Sequence, residues 1–302
     1  MHVLIRREEI ELVPALPDHS SGLTRAVLIG GHTGSTHTGL TLIELKDGHV
    51  DRHLHSFETS FYVLEGEPTL YLDDAAVRLK PGACGAIPVG SPHAWRSEER
   101  SRWIEMVSPR PRGEGEPADT FFVGPAPDTE PVPVDIRDPR NQNLFLLTPS
   151  DMDIDRLKKG AKVDEPTVSA SMATAALAYS GITVKMLVDK RLQAQLQTMF
   201  MVGYQPGAIA HPHDHPFEES YVMLDGDVDV VADGQRYTLR PGDVFWTGVG
   251  CIHAFYETAG NTVLWLETSA PGPPDQHSYR FSRDWEYLAE QLSEQASIPV
   301  GD

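Results

Sequence analysis

The chain has 302 residues, 40% of them hydrophobic, which is enough for two globular domains of about 150 residues each. A net charge of −19, with no Lys/Arg cluster to reverse it locally, argues against nucleic acid as a partner. No run approaches about 18 uncharged apolar residues, so no membrane span is expected; Cys84 and Cys251 make no disulfide framework, so the expected location is a reducing cytoplasm.

In chain order, the opening MHVLIRREEIELV is broken by charges and does not read as a secretory signal. From residue 53 come HLHSFETSFYVLEGE and, further on, PGACGAIPVGSPHA. Residues 109–140 are rich in proline, glycine and acid. Proline removes backbone donors and fixes φ, so this stretch is expected to cross the surface as a linker. MDIDRLKKG predicts a helical turn or two, and ITVKMLV and TMFMVGY predict the opening strands of a second unit. That unit carries HDHPFEESYVMLDGD and PGDVFWTGVGCIHA. The tail RDWEYLAEQLSEQ sets Trp285, Leu288, Ala289 and Leu292 at helical spacing, as in an amphipathic helix packed on its neighbour.

Shifting the chain by 160 residues lays 53–94 on 213–254 without a gap, and fifteen of those 42 positions are identical. The identities include the His pair, Phe57/Phe217, Glu58/Glu218, Gly66/Gly226, both Pro-Gly pairs, Gly90/Gly250 and His93/His253. Each copy reads as short, evenly spaced strands divided by turns at Asp225-Gly226, Asp233-Gly234 and Pro241-Gly242, or at Glu65-Gly66, Asp73-Asp74 and Pro81-Gly82. The predicted fold is all-β: two tandem jelly-roll barrels with a few short helices. The division predicted is 1–110 for the N-terminal barrel, 111–165 for a linker and 166–302 for the C-terminal barrel with its terminal helix.

Alternate side chains of a strand share a face, so His213 and His215 can both point into one barrel. Glu219 keeps the parity of His215, and His253 arrives from a later strand. Three imidazoles and a carboxylate suit one divalent transition metal; ligand type alone does not choose among Mn, Fe, Ni, Co, Cu and Zn. An octahedral ion would keep two positions for water, substrate or oxygen.

The spacing HxHxxxE, six residues, Gly, then PG and xGxxH resembles the paired motifs of the cupin superfamily. The second copy carries it as His213, His215, Glu219, Gly226, Pro241, Gly242, Gly250 and His253, with Gly248 in place of a usual proline. The resemblance implies a bicupin (double-stranded β-helix) fold and an ion held by His213, His215, Glu219 and His253. In the first copy His53, His55 and His93 are present, but Thr59 occupies the glutamate position, and parity turns Glu58 to the other face. Three readings compete there: a structural barrel, a three-histidine site resembling thiol and gentisate dioxygenase iron centres, or weak adventitious binding. The main chemistry is expected in the second barrel.

Parity from the ligands nominates Tyr221, Phe255, Met199, Met201 and Met223 to line the cavity. Tyr221, Phe255, Met199 and Met223 are kept as candidate substrate contacts. His211 suits a supporting position near the barrel mouth, Trp246 and Trp265 could pack the outside, and Cys251 reads as a buried inert thiol. His32 and His37 fall in no ligand pattern.

A metal-dependent enzyme for a small polar or anionic molecule is expected, with dioxygenase-type oxidoreductase chemistry first. Hydrolysis or lyase chemistry is the alternative, because FETSFYVLEG and GDVFWTGVGCIHAFY resemble segments of the (S)-ureidoglycine aminohydrolase bicupins. That family typically has Glu and Gln among its second-barrel ligands where this chain has His213 and His253, which puts its substrate in doubt here. A non-catalytic metal and small-ligand barrel is the third class. The expected partner is a small molecule, and bicupins as a group suggest a homo-oligomer.

Overall fold

A computed structural model describes residues 1–112, 119–153, 155, 181–272 and 280–281. Among these the helices are 3-10 turns of three or four residues, and nearly everything else regular is antiparallel strand. Among the described residues no helix is long and apolar enough to cross a membrane. The expected strands ITVKMLV and TMFMVGY are Ile182–Val188 and Thr198–Tyr204. Of MDIDRLKKG, Met152 closes the 3-10 turn Pro149–Met152 and most of the rest lies outside the described residues, as does the expected C-terminal helix.

The second half is built of two sheets. The first runs His2–Ile5, Val244–Thr247, Glu218–Asp225, Val263–Ala270, Thr198–Tyr204, Ile182–Val188. The second runs Gln235–Leu239, Val228–Ala232, His253–Tyr256, Ile209–Asp214, Arg280–Phe281. In the first half one strand, Gly39–His55, is long enough to serve both layers and joins them into a single twelve-stranded sheet. Its counterpart is broken between Thr198–Tyr204 and Ile209–Asp214, where Pro206 lacks a donor and Gly207 takes φ +81°. The hairpin glycines are needed sterically as well: a Cβ at Gly66 or Gly226 would strike the backbone at Arg100 or Thr262.

Sheet edges are closed from outside the repeat. Leu144–Leu146 pairs with Ala83–Ile87, and His2–Ile5 pairs with the equivalent strand Val244–Thr247. Thr120–Gly124 adds to Gly39–His55, and Val132–Pro133 runs parallel to Ala75–Arg78. Of the segment expected to be a linker, the strands between 120 and 146 therefore pair with the first barrel, whereas Asp151 and Met152 meet Lys185 and Gly203 of the second half; the first strand of the chain pairs with the second barrel. Short apolar runs such as LFL and HVLI satisfy strand edges that would otherwise expose donors and acceptors. Local sequence alone does not say which edge they choose.

Strand Glu58–Glu65 is buried on both faces, as is Glu218–Asp225. One face fills its own barrel; the other meets the opposite half in a core that joins Leu28, Leu40, Tyr62 and Ala86 to Val188, Met199, Val222 and Trp246. Two carboxylates lock this interface reciprocally. Glu58 accepts from the backbone N–H of Gln195 at 2.7 Å and Leu196 at 3.2 Å. Glu218 accepts from Thr36 N at 2.8 Å and from Ser35 Oγ at 2.6 Å. Glu58 thus turns away from the His53 cluster and into the other half of the molecule.

Candidate metal centres

In each half a register shift just before the first histidine sets it directly across the ladder from the last: His53 opposite His93, His213 opposite His253. The middle histidine is two residues on and shares their face. The ring nitrogens of His53, His55 and His93 lie within 4.8 Å of one another, as do those of His213, His215 and His253. The same backbone device fixes the outer rings. Nδ1 of His53 and His93 lies 2.7 and 3.0 Å from the carbonyls of Asp51 and Ser91. Nδ1 of His213 and His253 lies 2.5 and 3.0 Å from those of His211 and Cys251. A nitrogen facing a carbonyl carries the proton and donates it, so Nε2 keeps the lone pair an ion needs. Burial pushes His55 and His253 down to about 3 and lowers His53, His93 and His213 as well, so the rings stay neutral near pH 7.

The second centre has a fourth donor. Glu219 Oε2 is 3.1 Å from His215 Nε2 and 3.6 Å from His253 Nε2. The Tyr221 hydroxyl donates to Oε2 at 2.6 Å and lies 2.9 Å from His253 Nε2. Glu219 is 1% exposed, and its Oε1 has no hydrogen-bond partner among the described residues. Burial, and then the nearby Glu267, raise its carboxyl well above the ordinary range. A buried carboxylate without a cation is costly, so this donor set fits a divalent transition metal. Thr59 takes the glutamate's place in the first centre, with its Oγ1 unpartnered among the described residues. There His55 is oriented by the Thr120 hydroxyl, 2.8 Å from Nδ1, and by stacking on Phe57 at 4.2 Å.

Of the nominated lining residues, Tyr221, Met223 and Phe255 pack inside the second barrel with Phe200, Phe245 and Trp265. Met199 and Met201 lie instead in the core between the halves, where Trp246 also packs on the outside of its barrel as expected, whereas Trp265 lies inside. Parity counted back from His213 is lost across the Gln205–Ala208 turn, which puts Phe200 and Val202 inside in their place. His211 supports His213 through its carbonyl, and His37 contributes its backbone N–H to Glu218.

Sequence reasoning missed an indole-bound carboxylate in each barrel, Glu105 half-buried and Glu267 buried. Trp103 Nε1 donates to Glu105 and Trp265 Nε1 to Glu267, each at 2.8 Å. Burial raises both, Glu267 to about 7. The signal was present: WIE at 103–105 and WLE at 265–267 extend the repeat at an offset of 162. A cavity of about 440 Å³ in the first barrel is lined by His53, His55, Arg25, Glu105 and Arg110, and by His32.

The cupin domain family matches residues 41–107 and again residues 200–268. The chain is a bicupin. Quercetin 2,3-dioxygenase of Bacillus subtilis (strain 168) is 26% identical over 223 residues, a match covering 68% of this bicupin but only 64% of that protein. Among solved structures, oxalate decarboxylase of Lactobacillus farciminis in a formate complex superposes with a TM-score of 0.64 at 15% identity, over 98% of this chain and 94% of that one. Salicylate 1,2-dioxygenase of Pseudoaminobacter salicylatoxidans with gentisate gives a TM-score of 0.65 at 14% identity, over 89% and 81%. Similarity at these identities concerns the fold.

Proposed function

We propose that this bicupin is a metal-dependent enzyme acting on a small organic anion by dioxygenase-type chemistry, with the substrate in the first barrel. The observation that carries this reading is the cavity of about 440 Å³ that brings Arg25, Arg110 and Glu105 together beside His53 and His55. Arg110 Nε has no hydrogen-bond partner among the described residues, and a guanidinium of that kind matches a carboxylate in two-point geometry. The likeness to quercetin 2,3-dioxygenase supports the oxygen-dependent reaction class. The sequence had favoured the second barrel, but there Phe200, Tyr221, Phe245, Phe255 and Trp265 fill the interior.

In this reading His53, His55 and His93 hold one ion, and His213, His215, Glu219 and His253 hold another. A redox-active divalent ion would supply the site at which dioxygen and substrate meet. The chain's own groups do the rest. Arg25 and Arg110 bind and orient the anion, Thr120 and Phe57 hold the His55 ring, and the aromatic walls of Trp95 and Trp103 exclude water. Glu105 is held toward its protonated form by burial and anchored by Trp103, which suits it to give or take one proton at the substrate.

The test is oxygen uptake by Fe²⁺-loaded protein over a panel of small mono- and dicarboxylates and hydroxy-aromatic acids. Uptake with one of these, lost on changing Arg110→Leu through a higher KM, is expected. Ammonia release from ureido acids without oxygen uptake would overturn the reading in favour of hydrolysis.

A further inference from the structure

A third group of donor side chains lies apart from both barrel centres, where the first strand of the chain lies against the second barrel. His2 sits on the strand His2–Ile5, which pairs His2 with Thr247; Asp233 is at the hairpin turn between Val228–Ala232 and Gln235–Leu239; Cys251 precedes the strand His253–Tyr256. Their donor atoms lie within 4.8 Å of one another. His2 Nδ1 is 3.2 Å and Cys251 Sγ 3.6 Å from Asp233 Oδ2. Donors bound to one tetrahedral ion at about 2.0 Å (N, O) and about 2.3 Å (S) stand about 3.3 Å (N to O) and about 3.5 Å (S to O) apart, so both pairs that share Asp233 already have that spacing.

A hydrogen-bond relay sets the imidazole tautomer. The Tyr237 hydroxyl donates to Gln235 Oε1, and its oxygen lies 3.0 Å from His2 Nε2. With its own proton committed to Gln235, Tyr237 accepts from His2, so Nε2 carries the proton and Nδ1 presents a lone pair to Asp233. A lone pair, a carboxylate oxygen and a sulfur converging on one point call for a cation. The Met1 ammonium, 2.8 Å from the same Oδ2, also hydrogen-bonds the Cys251 sulfur, so a cation already rests against two of the three donors; it does not touch the imidazole, which a metal ion would add. A solvent-open cavity lined by His2, Arg6, Asp233 and Tyr237 gives an ion a route in.

We propose that His2, Asp233 and Cys251 form a third metal site, selective for a zinc-type tetrahedral divalent ion, that staples the N-terminal strand to the second barrel. Water takes the fourth corner, because the Met1 ammonium paired with Asp233 has no lone pair to offer. Imidazole, carboxylate and thiolate together favour Zn²⁺ over harder ions, and the thiolate separates this site from the histidine centres. Binding replaces the thiol proton by the ion, and the proton leaves to solvent.

Cobalt(II) is the probe, because thiolate ligation gives it a charge-transfer absorption that imidazole and carboxylate ligation do not. Full-length protein stripped of metal and titrated with Co²⁺ should develop this band to saturation at one thiolate-bound ion per chain. Cys251→Ser should abolish it, and Asp233→Asn should weaken Co²⁺ at this site at least tenfold. The second cysteine gives no competing signal, since Cys84 is fully buried with its sulfur against the Phe145 carbonyl. Cobalt uptake without the band in the wild type, or a band that persists in Cys251→Ser, overturns the proposal. Should Cys251→Ser fail to fold, Asp233→Asn decides, because asparagine accepts the φ of +46° at that turn; unchanged affinity there is equally fatal. The readout is independent of oxygen uptake, so it stands or falls apart from the proposed reaction.

Discussion

The two barrels share a register and differ in what they put inside. In the first, Arg25 lies opposite Ile43, Val27 opposite Thr41, and Glu105 also opposite Thr41. In the second, the same places are taken by Val184 opposite Val202, Met186 opposite Phe200, and Glu267 opposite Phe200. The second barrel therefore gained bulk and apolar character at the positions where the first kept charge and room. The metal donors changed in the other sense: the second barrel has Glu219 and the first has Thr59. The difference teaches that the completeness of a ligand set and the space for a substrate are separate properties. The barrel with the fuller motif is the one whose core holds Phe200, Tyr221, Phe245, Phe255 and Trp265.

The strongest way to break this comparison is to exchange the fillings. Phe200→Ala should destabilise the protein by about 3–5 kcal/mol in urea unfolding, because a buried ring is replaced by a cavity. A loss below about 1 kcal/mol would mean that Phe200 does not fill the second barrel. Next, Glu219→Ala should weaken metal retention in the second centre by roughly a hundredfold or more, since even partners outside the ligand shell cost about 10–100-fold. Elemental analysis should then show one ion fewer per chain and the first centre untouched; loss of both ions would couple the barrels that the comparison separates. Removing the interlock should act alike on the two halves. Glu58→Ala and Glu218→Ala should each cost about 1–3 kcal/mol by orphaning backbone donors across the interface. Unequal losses would show that the reciprocity is geometric only.

Smaller effects sharpen the picture. Burial raises the Glu58 carboxyl above its ordinary 4.5, against the pull of the N–H groups it accepts from. The folded state then holds that proton to higher pH than the unfolded chain does. Stability from this group is full below about 4.5 and declines as pH rises through the raised value. Glu58→Gln should flatten that decline in unfolding curves taken from pH 4 to 7, and an unchanged slope would assign the pH dependence elsewhere. At the bottom of the scale, Thr59→Ala should leave the metal content of the second centre unchanged, as read by the same elemental analysis.

Much of this was legible before any coordinates. The HxH pairs and the later histidines were readable because a period of two forces alternate residues to one face, and the duplication repeats them at a constant spacing. Tyr221 and Phe255 were reachable by the same count from nearby ligands. Met199 was not, because a turn containing Pro206 and Gly207 lies between it and His213, and parity does not survive a change of register. Glu105 and Glu267 escaped for a related reason: two extra residues in the second copy shift the repeat, and each acid is recognisable only beside its indole partner.

The sequence by itself determined the two barrels, their strands and the histidines that face one another, because alternation, turn chemistry and repetition are local properties of the chain. Tertiary structure alone decided which side chains fill each barrel, where the first strand and the proline-rich segment dock, and that Glu58 and Glu218 serve the opposite half. Those outcomes depend on volumes and on sheet edges supplied by residues tens to hundreds of positions away, and no local pattern encodes which distant neighbour arrives.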